Sequence, residues 1–198
     1  FLVNVLMRET LAQNYGSPVR MTTSEKPLRY EFVSPQQIVF GWGRRAELSE
    51  LAPRLGRRAF IVCGSRTLES SGLLDEISDL LASGEVEAQR LATLTHEPEV
   101  VDVDNASAEL RRADARPGDF LLAVGGGAAI DLAKAVAAMA TNTESPTIKD
   151  YLEGVGKGLK IVAEPLPVLA MPTTAGTGCE ATKNAVISSY DPAFKKSI

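Results

Sequence analysis

Phe120-Leu121-Leu122-Ala123-Val124-Gly125-Gly126-Gly127-Ala128-Ala129-Ile130-Asp131-Leu132-Ala133-Lys134 decides the fold. Five apolar residues stop at three glycines, and a helical pattern starts at once. A short apolar run bounded by glycine reads as a buried strand. Ala, Leu and Lys are strong helix formers, and Ala129, Leu132, Ala133 and Val136 fall on one helical face. Glycine lacks Cβ, so the backbone can turn sharply and a ligand can come close. Free amides at a helix start, at the positive end of its dipole, make a phosphate site.

The pattern repeats on either side. Gln37-Ile38-Val39-Phe40 before Gly41-Trp42-Gly43 predicts a short strand and a glycine turn. Arg44 to Leu55 suits a helix interrupted by Pro53. Ala59-Phe60-Ile61-Val62-Cys63 ends in Gly64-Ser65 and reads as a buried parallel strand. Ser65 or Thr67 is placed to cap the following helix, whose inner face carries Leu73, Leu74, Ile77, Leu80 and Leu81. Val86 to Leu94 alternates weakly, as a strand would, and Val100 to Ala113 is helical until Arg116-Pro117-Gly118-Asp119 breaks it. Residues 141–160 read as a polar connection. Leu166 to Met171 is a strand weakened by Pro165 and Pro167. Ala185-Val186-Ile187-Ser188 and Lys196-Ser197-Ile198 suggest a final hairpin.

Strands alternating with helices predict an α/β fold: a Rossmann-like, doubly wound, mainly parallel sheet with flanking helices. Such sheets bind ligands at the carboxyl ends of their strands. The loops at 125–128 and 172–180 both follow strands, so they are expected to open on the same edge.

Composition narrows the function. The chain has 198 residues, 44% apolar and 23% charged, as in ordinary globular proteins. A net charge of -4 gives no reason to expect nucleic acid or an anionic membrane as partner. No segment approaches the roughly 18 apolar residues needed to cross a bilayer. Phe1 to Met7 is short and has no basic region before it, which argues against a signal peptide. Two cysteines, Cys63 and Cys179, suggest a reducing compartment, and the cytoplasm is the expected location. The single histidine, His96, reads as a solvated loop residue. One imidazole cannot furnish a histidine-rich catalytic metal site.

Gly125-Gly126-Gly127 departs from the usual dinucleotide fingerprint, because Ile130 stands at the third small position, and it lacks the Gly-Lys-Ser/Thr ending of a P-loop. A bare strand-to-helix turn is the competing reading. Asp131, taken as lying in the first helical turn, either complements the helix dipole or fixes the glycine loop and reaches the ligand. Lys134 reads as a solvated helix residue. Thr173-Thr174-Ala175-Gly176-Thr177-Gly178 is a hydroxyl-rich loop whose three threonines can hydrogen-bond phosphate, ribose or carboxamide groups.

Together these residues resemble the iron-containing (group III) alcohol dehydrogenase family, from about residue 37 to the end. The resemblance rests on Ile38 to Gly43, Asp119 to Lys134 and Pro172 to Ile187. It implies an NAD(P)-dependent, metal-dependent interconversion of small alcohols and aldehydes by hydride transfer. It also implies that Gly125, Gly126 and Gly127, with Asp131 matching an acidic position, bind the cofactor pyrophosphate. Thr173, Thr174 and Thr177 would lie beside ribose and nicotinamide, and Lys196, before Lys195, is the match for a cofactor-contacting lysine. Ala128 and Cys179 replace usual serines. The turn after the Ala59–Cys63 strand has Ser65 and Arg66 where NAD-preferring relatives often carry aspartate, which tilts the cofactor toward NADP over NAD.

Residues 1–28 are mixed and weakly patterned and are set apart as an N-terminal extension, while the resemblance makes 29–198 an NAD(P)-binding α/β domain, cut short at its C-terminal end. It implies that the metal, iron or zinc, is bound by a helical C-terminal domain not present in these residues. It gives no metal ligand and no catalytic residue here. By themselves the 198 residues are expected to be inactive, and the full-length protein to be a homo-oligomer. Glycerol dehydrogenase and dehydroquinate synthase are the alternatives on the same scaffold, and a non-catalytic nucleotide-binding module is the alternative of a different class. The threonine motif favours the alcohol dehydrogenases.

Overall fold

Four parallel strands carry the fold, in the order β2-β1-β3-β4. They are β1 (Arg58–Cys63), β2 (Glu87–Thr93), β3 (Asp119–Gly125) and β4 (Val168–Pro172). The computed structural model describes residues 34–198, so the boundary at 28/29 and the proposed extension lie outside the described residues. β3 is buried along its whole length, which is why its sequence is continuously apolar rather than alternating.

Both faces of the sheet are covered, and the period of two in the strands assigns each side chain to a face. Phe60, Val62, Leu121 and Ala123 join one core with α4 (Val100–Arg112) and α5 (Gly127–Thr141). Ala59, Ile61, Phe120, Leu122 and Val124 join the other, under α1 (Leu48–Leu51) and α3 (Leu73–Ser83). α5 lies in the middle of the first layer, with Ala129, Ala133, Ala135 and Ala137 fully buried. A helix apolar on nearly every side is a buried helix, and its small residues let it approach the sheet closely. α4 is fixed at its start by reciprocal bonds between Glu99 and Asp102.

The order of strands sets where a ligand can sit. From β1 the chain crosses to β2 on one side, then returns to β3 on the other side of β1. The carboxyl ends of β1 and β3 are therefore a topological switch point, where open α/β sheets form a crevice.

Several local expectations are corrected. Residues 37–40 form no strand, and Ile38, Phe40 and Trp42 are exposed, because the run pairs with no neighbouring strand among the described residues. Arg44 to Arg54 is a 3-10 turn, then α1, then a second 3-10 turn, with Pro53 in the last. A short helix, α2 (Arg66–Ser70), precedes α3, and Gly72 at φ 78° separates them. β4 begins only at Val168, since Pro165 and Pro167 have no N–H to give a ladder.

Residues 142–166 are more than a polar connection. Ile148, Tyr151 and Leu152 are buried, and Asn142 Oδ1 accepts from the amides of Val162 (2.8 Å) and Ala163 (2.9 Å). The terminal hairpin is longer than its sequence suggests, with β5 (Val186–Tyr190) antiparallel to β6 (Ala193–Ser197). No described helix is long and apolar enough to cross a membrane.

Candidate functional site

The glycine turn sits at the switch point and leaves a helix end open. Gly125 closes β3, Gly126 is the N-cap of α5 in an extended conformation, and Gly127 is the first helical residue. A glycine cap has no side chain to bond the first-turn amides. Among the described residues the amides of Gly127 and Ala128 donate to nothing. No carboxylate lies in the first turn of α5. Open amides at the positive end of a 15-residue helix are chemically suited to an anion.

Close approach, rather than turn geometry alone, requires these glycines. A Cβ on Gly125 would stand 2.8 Å from Gly64 Cα and 2.9 Å from Ala129 Cβ. A Cβ on Gly126 would stand 3.0 Å from Thr174 Oγ1. One on Gly127 would stand 3.0 Å from Cys179 Sγ and 3.2 Å from Thr177 Cβ. The threonine loop thus folds back over the turn, and Thr173 N donates to Gly125 O at 2.9 Å. The two loops that the sequence places on one edge meet there. Thr173, Thr174 and Thr177 remain exposed, with hydroxyls open to a ligand. Burial is the main cause that pushes the Cys179 thiol up, and the nearby Asp131 charge adds to it.

Asp131 and Lys134 behave differently from their sequence reading. α5 starts at Gly127, so Asp131 lies just past the first turn. It is buried, and its Oδ2 accepts from Val186 N at 3.2 Å. Lys134 is not solvated: its side chain is only 12% exposed. Its Nζ stands 2.9 Å from Asp131 Oδ1, close enough for an ion pair but not aligned for a hydrogen bond. Nζ donates instead to the carbonyls of Cys179 (3.0 Å), Thr182 (3.4 Å) and Asn184. The i,i+3 spacing of Asp131 and Lys134 is a sequence signal for this pair.

The remaining candidates are spread around the crevice. Ser65 follows β1 and caps α2, its Oγ accepting from Leu68 N at 3.2 Å. Arg66 beside it is exposed and makes no ion pair among the described residues. Lys196 lies on β6 with its Nζ 3.7 Å from where a Cβ on Gly154 would be, so it faces the 152–158 loop. Lys195 binds both carboxylate oxygens of Glu97 at 2.8 Å and lies near enough to Asp131 to feel its charge. His96 is half exposed, with Nε2 3.0 Å from Asp102.

Comparison with known proteins decides the kinship. The family described as "Iron-containing alcohol dehydrogenase" matches residues 35–198. The chain belongs to that family. Long-chain-alcohol dehydrogenase 1 of Geobacillus thermodenitrificans is 33% identical over 162 residues, which are 79% of this chain and 40% of that protein. Probable NADH-dependent butanol dehydrogenase 2 of Bacillus subtilis is 29% identical over 82% of this chain and 39% of its own length. The chain thus spans about two fifths of these relatives. Among solved structures, NADH-dependent butanol dehydrogenase A of Thermotoga maritima superposes with a TM-score of 0.74 at 27% identity, covering 86% of this chain and 41% of that one. Sulfoacetaldehyde reductase of Bifidobacterium kashiwanohense, solved with NAD+, gives 0.70 at 26% identity over 86% and 43%.

Membership of the iron-containing alcohol dehydrogenases raises the question of the metal. Among the described residues no group of three or more His, Cys, Asp or Glu side chains gathers in a way that would hold one. These residues do not form an iron site. What they form is an iron-containing alcohol dehydrogenase's parallel sheet, with an open helix end at its switch point.

Proposed function

We propose that residues 34–198 are the cofactor-holding part of an NAD(P)-dependent oxidoreductase that interconverts small alcohols and aldehydes. The observation that carries this reading is the uncapped start of α5 at the switch crevice, closed over by the threonine loop. Gly126, Gly127 and Ala128 would take the pyrophosphate on backbone amides. Thr173, Thr174 and Thr177 offer hydroxyls to the ribose and nicotinamide side. When bound, the nicotinamide supplies hydride exchange with the substrate carbon. The chain's own residues fix the cofactor's position.

The relatives named above support NADH as one cofactor, and an alcohol or aldehyde as substrate. Arg66, exposed after β1 and in no ion pair among the described residues, supports acceptance of NADPH as well. The metal of the whole protein belongs to residues outside this part, and oligomer formation to the full-length chain. The two free cysteines fit a cytoplasmic protein.

Fluorescence titration of the purified chain with NADH and NADPH tests the reading. At least one is expected to bind saturably and to be displaced by ADP. Absence of binding by both, with the chain folded by circular dichroism, overturns it.

A further inference from the structure

Lys134 forms the centre of a small oxygen cage that ties three elements together. Its ammonium rises from α5 and meets the carbonyls of Cys179, Thr182 and Asn184, which span the end of the threonine loop and the approach to β5. Asp131, one turn earlier, holds the same ammonium at 2.9 Å and takes the amide of Val186 at the start of β5. Both side chains are about nine-tenths buried. Cys179 in turn stands against Gly127, so the segment that Lys134 holds is the one that roofs the glycine turn. Three chain carbonyls gathered on one largely covered ammonium amount to a latch. Thr182 and Asn184 are themselves exposed and Cys179 O also accepts from Thr182 N, so what the ammonium supplies is the one donor that all three carbonyls share.

We propose that Lys134 is a positioning residue, with Asp131 as its anchor: the pair holds the threonine loop over the glycine turn and so sets the nicotinamide side of the cofactor site. This rests on the cofactor reading above. In it Asp131 acts through Lys134 and Val186 and does not touch the cofactor. ADP would engage the glycine turn alone, whereas NADH needs the threonine loop as well. The two ligands therefore separate loop positioning from general damage to the fold.

The test compares wild type, Lys134→Met and Lys134→Arg for binding of NADH and ADP. Lys134→Met is expected to weaken NADH about tenfold or more while ADP changes by less than about threefold, and Lys134→Arg is expected to restore most of the NADH affinity. Equal weakening of both ligands, or of neither, overturns the proposal. Hydrogen exchange provides a readout that does not depend on any ligand. The amides of 173–186 are expected to exchange faster in Lys134→Met while β1 and β3 stay protected. Unchanged exchange at 173–186 overturns the latch. If Lys134→Met fails to fold, Lys134→Gln gives the same comparisons. Failure of wild type to bind either ligand counts against the cofactor reading and leaves exchange to decide the latch.

Discussion

Gly64 and Gly125 meet backbone to backbone at the ends of β1 and β3: a Cβ on either would stand within 2.9 Å of the other's Cα. Gly64 N also donates to Val124 O at 2.8 Å, extending the ladder between the two strands by one bond. The two strands therefore end at the switch point in two glycines in contact, an approach that depends on their having no side chains.

Gly125→Ala tests that approach. The new methyl meets backbone and the buried Ala129, neither of which can yield. Overpacking of this kind costs about 2–3 kcal/mol. Urea denaturation should show a lower midpoint with unchanged slope, and NADH binding should be lost. A variant as stable as wild type would refute the contact.

Gly126→Ala should separate binding from folding. Its methyl would press on Thr174 Oγ1 at 3.0 Å, the end of an exposed side chain that can rotate away. Alanine is also a poorer N-cap than glycine, by about 1 kcal/mol or less. Stability should change little. NADH affinity should fall about tenfold or more, because the methyl occupies the mouth of the open helix end. Equal affinity for both proteins would show that the cofactor does not enter there.

Arg66 carries the prediction on cofactor choice. Arg66→Ala should weaken NADPH about tenfold, as expected for loss of one guanidinium–phosphate contact, and leave NADH within about threefold. Parallel titrations decide it, and equal loss for both cofactors would remove Arg66 from the 2′-phosphate.

Asp119 predicts an acid limb to stability. Burial works to raise its pKa, but Arg58, which bonds it through Nε at 3.2 Å and Nη2 at 2.6 Å, and the amide of Arg116 outweigh burial and hold it below the ordinary aspartate range. A carboxyl depressed on folding binds its proton more tightly in the unfolded chain. Its stabilisation is complete above the unfolded value near pH 4 and is lost as pH falls through the folded value. Asp119→Asn should cost about 1–3 kcal/mol at neutral pH and flatten the decline below about pH 4. Thermal melts between pH 3 and 7 measure both. An acid limb equally steep in the variant would assign it to other carboxyls.

Much of the fold was legible in the sequence because its signals are local. Phe120–Val124 is apolar without alternation, since β3 is covered on both faces. The three glycines mark its turn, and Pro165 and Pro167 delay β4. Gln37–Phe40 misled for the converse reason: an apolar run becomes a strand only where another strand pairs with it. The two motifs that resemble the family were also readable, because each is a contiguous run.

What the sequence determined by itself was the alternation of strands and helices, the open helix end after β3, and kinship with the iron-containing alcohol dehydrogenases. The tertiary structure alone decided the roles of residues distant in sequence. Lys134 reads as a surface lysine until Asn184, 50 residues away, is folded against it. Gly64 is an ordinary turn glycine until β3 lies beside β1. Asn142 is a helix end until Val162 and Ala163 come to its side chain. Such roles come from long-range packing, where burial makes an unpaired polar group costly and leaves no room for a Cβ. No periodicity or spacing records which partner will satisfy the one or crowd the other.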